Sequence, residues 1–208
     1  MLECQEHGDV AMESIVFLGA DRAGKSTAIR NAVAGVQKQS KKCEVLHFTE
    51  VKPHHKKSNE QFINQLNKVD RGIDTLFLDR FASDTVFYEP YRYQMPPIDI
   101  KEAQEAEDLL IKISDSVKVY LLMPPFDEEM VKRHEDELRY IYAQGCSDFW
   151  LKSQIEKRRI EHEEYYKFTL NHLNKTSNFS DVKILLLPGY SGPVSLKAYC
   201  GEEDPCSS

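Results

Sequence analysis

The chain has 208 residues, with 41% hydrophobic and 29% charged residues and a formal net charge of −7. It is long enough to bury a substantial core and too apolar to stay disordered, so a single globular domain is expected over residues 1–208. The acidic balance argues against broad nucleic-acid binding, a local basic groove being the one exception it leaves open, and no apolar run reaches the length of a membrane span.

In chain order, the first apolar run is SIVFLG, Ser14 to Gly19, followed by a glycine-rich loop and a helical pattern carrying Ile29, Val33 and Val36. A second strand, CEVLHF, precedes the helix SNEQFINQLNKV. There Ser58 and Gln61 have capping-box spacing, and Phe62, Leu66 and Val69 form one stripe. TLFLD is the third strand. DIKEAQEAEDLLIKI reads as a helix opened by Asp99 and Glu102 that buries Ala106, Leu109, Leu110 and Ile113. VKVYLLM is the fourth strand. It is followed by a helix from Asp127 ending near Gly145, and by a long, highly charged helix from Asp148 to about Leu173. The fifth strand is VKILLLP, and the tail from Gly189 is rich in turn residues, with a flexible end expected at about 198–208. Near-continuous apolar strands alternating with helices predict a doubly wound α/β domain: a parallel sheet covered on both faces, with right-handed crossovers.

The loop between the first strand and first helix reads GADRAGKST, Gly19 to Thr27, and has the spacing Gly-x-x-x-x-Gly-Lys-Ser. Gly19 and Gly24 allow backbone angles and close approaches that a side chain would block. With Ala20, Asp21, Arg22 and Ala23 between them, successive N–H groups and the following helix N-terminus form an anion cradle. Lys25 would reach the β- and γ-phosphates of ATP, Ser26 would bind Mg²⁺ through its hydroxyl, and Thr27 completes the cradle.

Asn67-Lys68-Val69-Asp70 matches a guanine-reading motif, but no Asp lies between Thr27 and Val69 to supply the switch such proteins need. The motif also ends a helix just before a strand, so it reads as a helix terminus and turn. Asp79, at the end of TLFLD, stands at the carboxyl edge of the sheet, where ligands collect. It is a second candidate for Mg²⁺, through water, and Arg80 is a candidate for neutralising a transferring phosphoryl group. The competing reading is a strand-end salt bridge between the two.

GADRAGKST resembles the phosphate loop of thymidylate kinases, and DRFASDTVFY resembles that family's Asp-Arg-Tyr/His segment. The resemblance implies a P-loop three-layer α/β/α sandwich with five parallel strands in the order 2-3-1-4-5 and a small helical lid at about 133–150. It places Asp21 near the acceptor's sugar hydroxyl and Arg22 on the phosphates being joined, as an arginine finger supplied in cis. It also matches Arg133 to the cation that ends the helix before the lid, and Arg158 or Arg159 to one that begins the next helix.

On the acceptor side the chain departs from that family. LHFTEVKPHHKK lacks the Phe-Pro and nearby Arg that grip the acceptor's monophosphate. Lys52, Lys56, Lys57 or Arg92 would have to hold it, with His54 and His55 nearby, and Tyr88, Tyr91 and Tyr93 could stack on a base. Glu50 occupies a place similar to the catalytic base of deoxynucleoside kinases, and a base has a clear role only when the acceptor is an alcohol. The leading reading is therefore transfer of the γ-phosphoryl group of ATP, with Mg²⁺, to a (deoxy)nucleoside monophosphate. The alternative is a deoxynucleoside or modified-base hydroxyl kinase with Glu50 as general base, and a nucleotide-binding regulator without turnover stands third. The expected partners are ATP and a nucleotide acceptor, without membrane; nucleic acid is disfavoured, and a homodimer is allowed but not required. MLECQEHGDV has no signal-peptide pattern, and five scattered cysteines lack Cys-x-x-Cys spacing, which points to a reducing cytoplasm.

Overall fold

The computed structural model describes residues 11–48, 58–93, 100–142, 147–186 and 192–201, with the backbone alone at 58, 59, 85 and 89–93. Five parallel strands, β1 (Glu13–Leu18), β2 (Cys43–His47), β3 (Thr75–Asp79), β4 (Ser116–Leu122) and β5 (Asp181–Leu185), lie in the order β2-β3-β1-β4-β5. This is the expected order, with one addition. A short β6 (Val194–Ser195) pairs antiparallel to β5 at the sheet's edge.

Alternation along the strands divides the core between the two faces. Val16, Leu18, Leu76, Leu78, Val119 and Leu121 point to the larger core. Phe17, Phe77 and Leu122 point to the smaller one, which α1 (Lys25–Lys38) covers with Ile29, Val33 and Val36. The larger core is closed by α2 (Ser58–Leu66), α3 (Ala82–Tyr93), α4 (Ile100–Ile113) and α6 (Asp148–Lys175), through Phe62 and Leu66, Val86 and Phe87, Ala106 and Leu110, and Tyr165 and Leu173. Helix α5 (Glu128–Ile141) packs on α6, its N-terminus capped by Asp127, whose carboxylate accepts from Met130 N at 3.0 Å.

Three features were not read from the sequence in this form. Residues 82–93 form a helix, α3, that their aromatic, β-branched and proline-containing sequence does not announce. Helix α5 stops at Ile141, before Gly145, which lies outside the described residues. The turn-rich tail carries β6 and a short α7 (Leu196–Tyr199), whose buried Leu196 joins the larger core and whose last residues reach into the expected flexible end. The Ser58–Gln61 and Asp99–Glu102 capping boxes involve side chains outside the described residues. No helix among the described residues is long and apolar enough to cross a membrane.

A buried polar knot fixes the end of α6. Glu107, fully buried on α4, accepts hydrogen bonds from His172 Nε2 (3.0 Å), Ser177 Oγ (3.0 Å) and Asn178 N (2.8 Å). Every donor comes from the last turn of α6 or the segment leading to β5, so one carboxylate ties three elements together. Removing the shared acceptor leaves buried donors unmatched, at a cost of about 1–3 kcal/mol. Glu107→Ala is expected to lower unfolding stability by that amount in urea denaturation, and Glu107→Gln by less, because the amide oxygen still accepts.

Candidate active site

The loop from Gly19 to Gly24 leaves β1 and enters α1. Its glycines serve two different needs. At Gly19, with φ +154°, a Cβ would also lie 3.0 Å from both Leu122 O and Ala23 Cβ, so crowding adds to the backbone angle in favouring glycine. Gly24, the N-cap of α1, has φ +91° with open space around it, so there only the backbone angle demands glycine. Thr27 N and Ala28 N donate to Gly24 O at 3.1 and 3.0 Å, which starts the helix. The amides of Lys25 and Ser26 come ahead of these bonds in the first turn, and both residues line the cavity described below.

Two tyrosines of α6 hold the loop's first peptides. Gly19 N donates to Tyr165 OH at 2.9 Å, and that hydroxyl donates to Asp84 Oδ1. Ala20 N donates to Tyr166 OH at 3.2 Å, and that hydroxyl donates to Leu122 O at 2.6 Å. Burial raises the pKa of both phenols, so they stay protonated and able to donate. The carbonyls of the same two residues accept from Lys25 Nζ, at 2.9 Å for Ala20 O. Lys25 is 7% exposed, and burial lowers the pKa of its ammonium, with Asp84 the leading opposing charge. Asp84 is itself buried, and desolvation raises its pKa while Lys25 opposes the rise.

Strand register builds the next group. His47 lies opposite Asp79 across β2 and β3, and in-register parallel neighbours project to the same face. His47 Nδ1 is 2.7 Å from Asp79 Oδ2, whereas Asp79 Oδ1 is buried with no hydrogen-bond partner among the described residues. The expected competitor, an Asp79–Arg80 salt bridge, does not form. Arg80 instead donates to Asp21 Oδ1 at 2.8 Å and lies 5.7 Å from the ring centroid of Tyr88. Arg22 reaches Glu137 of α5, Nε to Oε2 at 3.1 Å, and this bond raises the pKa of its guanidinium. Arg22 and Arg80 both have positive φ, 66° and 70°. Non-glycine residues hold such angles only where their surroundings over-determine them, at a cost of about 1–3 kcal/mol.

These residues enclose a cavity of about 470 Å³ lined by Asp21 to Thr27, His47, Asp79, Arg80, Arg133 and Glu137. Its lining carries four cations and three carboxylates, so the opening is locally positive on a chain of net charge −7. A carboxylate oxygen with no partner among the described residues, Asp79 Oδ1, and the exposed Ser26 in one cavity fit a hard divalent cation. No group of three or more His, Cys, Asp or Glu among the described residues forms a metal cage. A second cleft of about 490 Å³ shares Ala23, Gly24, Thr27 and Arg133 with the first and is otherwise mostly apolar, lined by Leu122, Pro124, Pro125, Met130 and Leu185.

The structure brings together Asp21, Arg22, Lys25, Ser26, Asp79, Arg80 and Arg133, from three separate segments. Arg133 pairs with Glu129 on its own helix and borders both cavities. Arg158 and Arg159 line neither cavity; they pair along α6 with Glu161 (3.4 Å), and with Glu156 and Glu163 (2.5 Å each), respectively. Glu50, Lys52, His54, His55, Lys56 and Lys57, and the side chains of Tyr91, Arg92 and Tyr93, lie outside the described residues. Sequence reading overlooked His47, Asp84, Glu137, Tyr165 and Tyr166. Only His47 carried a usable signal: it ends its apolar strand just as Asp79 ends the next.

No family model matches the sequence, and no curated protein matches it. The likeness is structural. A putative polyphosphate kinase 2 from Pseudomonas aeruginosa PA01 superposes with a TM-score of 0.58 at 14% identity, covering 85% of this chain and 38% of that one. Polyphosphate kinase 2 from Arthrobacter aurescens TC1 gives a TM-score of 0.53 at 12% identity, covering 94% and 65%. Thymidylate kinase from Ehrlichia chaffeensis gives 0.39 at 11% identity, covering 91% and 94%. The chain thus spans less than two thirds of the length of either polyphosphate kinase. At these identities the likeness concerns fold, and the fold is that of the P-loop kinases.

Proposed function

We propose that the protein is a P-loop phosphotransferase that moves the γ-phosphoryl group of ATP, with Mg²⁺, to a (deoxy)nucleoside monophosphate. The observation that carries this reading is the constellation in the phosphate cavity: a cradle of helix-start amides, a buried lysine, a strand-end carboxylate with a free oxygen, and two arginines converge on one opening. Binding a phosphate needs only the amides and Lys25. Passing it on calls for cations that follow the charge as it spreads over the equatorial oxygens, which suits Arg22 and Arg80.

The adjoining apolar cleft supports a donor that carries a base. A polyphosphate chain, suggested by the names of two structural neighbours, would use the charged cavity and leave that cleft unfilled. A nucleoside triphosphate would use both.

Lys25 now rests on the carbonyls of Gly19 and Ala20, and an entering phosphate offers its ammonium a charged acceptor in their place. Arg22 must leave Glu137 to reach the phosphates, and Arg80 must loosen from Asp21, leaving that carboxylate for the acceptor's sugar hydroxyl. Asp79 and Ser26 would hold Mg²⁺, which would neutralise charge on the donor's phosphates.

The test is a panel of nucleosides and nucleoside monophosphates incubated with ATP and Mg²⁺, with ADP release measured. At least one monophosphate should be consumed, and Lys25→Ala should reduce the rate by about 10²–10³-fold or more. Wild-type activity in that variant would contradict the mechanism. Glu50→Gln separates the acceptor classes in the same assay. If the acceptor is already a phosphate, the rate should change by only a few-fold, whereas an alcohol acceptor relying on that base would lose about 10²–10⁴-fold.

A further inference from the structure

The two oxygens of Asp79 stand in different surroundings. Oδ2 faces His47 Nδ1 at 2.7 Å, and Oδ1 has no partner among the described residues although Asp79 is only 5% exposed. The strand register enforces this arrangement, since His47 and Asp79 are direct neighbours at the carboxyl ends of β2 and β3. The nearest arginine in sequence, Arg80, is drawn away to Asp21. The His47 side chain is 55% exposed and lines the cavity. A half-exposed imidazole in the cavity wall is not needed to fill the core.

We propose that His47 is a positioning residue for Asp79. By donating Nδ1–H to Oδ2, it fixes the carboxylate's rotation and leaves Oδ1 as the acceptor offered to a magnesium-bound triphosphate. Without that bond the carboxylate can turn, and Oδ1 is no longer held in one direction. Outer-sphere hydrogen bonds of this kind are worth about 10–100-fold in metal affinity. This inference rests on the triphosphate-binding reading above and adds a residue that the phosphate-loop motif does not contain.

Calorimetric titration of the full chain with ATP, in Mg²⁺ and separately in EDTA, tests it with wild type, His47→Ala and His47→Asn, each checked for an unchanged thermal midpoint. Wild type should bind ATP more tightly with Mg²⁺ than without. His47→Ala should lose about tenfold or more of that magnesium-dependent gain while keeping its affinity in EDTA, and His47→Asn, whose amide can still donate, should recover much of it. If His47→Ala keeps the gain within about two-fold, or weakens binding equally in both buffers, the positioning role is overturned while the triphosphate site stands. If wild type itself shows no magnesium-dependent binding, the broader reading fails along with this one.

Discussion

The site depends on how firmly the first two peptides of the phosphate loop are held. The amides of Gly19 and Ala20 are bound by Tyr165 and Tyr166, and the carbonyls of the same residues by Lys25. Gly19 is also pressed against Leu122 O and Ala23, so the strand-to-loop turn has little room to shift. The grip reaches far along the chain, because the tyrosines stand on α6 and α6 is anchored at its far end by Glu107. Shape in the phosphate cradle is thus maintained by a helix more than a hundred residues downstream.

Electrostatics set the second constraint. The arginines of the cavity stand paired with carboxylates, Arg22 with Glu137 and Arg80 with Asp21. Each pair lowers the desolvation cost of holding several charges in one small opening, and each can be traded for a phosphate oxygen when ligand enters. Arg22 and Arg80 both sit at left-handed backbone angles, so the turns that present them accept a cost in stability in return for direction. Buried Asp84 faces Lys25 and keeps the ammonium compensated while no phosphate is present.

Much of this architecture can be read from residue order. Five apolar runs predict the five parallel strands because a strand covered on both faces has no polar side to show, and the glycine loop sits between the first strand and helix as its chemistry requires. What stayed hidden depends on partners remote in sequence. Glu107 looks like a solvent-facing member of α4, and only His172, Ser177 and Asn178, some seventy residues on, make its burial tolerable. Tyr165 and Tyr166 are lost in a helix whose charges dominate, because its 28 residues bury different sides along their length. In α3, Pro90 and the aromatics argue against a helix that packing on the core nonetheless imposes. The Asp79–His47 contact needed the β2–β3 register, which composition cannot supply.

The central claim is that the amides opening α1 receive the phosphates of a nucleoside triphosphate. Amide nuclear magnetic resonance of isotope-labelled protein titrated with ATP and Mg²⁺ reads those groups directly. The N–H signals of Gly24, Lys25, Ser26 and Thr27 should move together and saturate at one equivalent, with residues of the apolar cleft such as Met130 and Leu185 following. Saturating nucleotide that leaves these four amides unmoved in a folded protein would contradict the account.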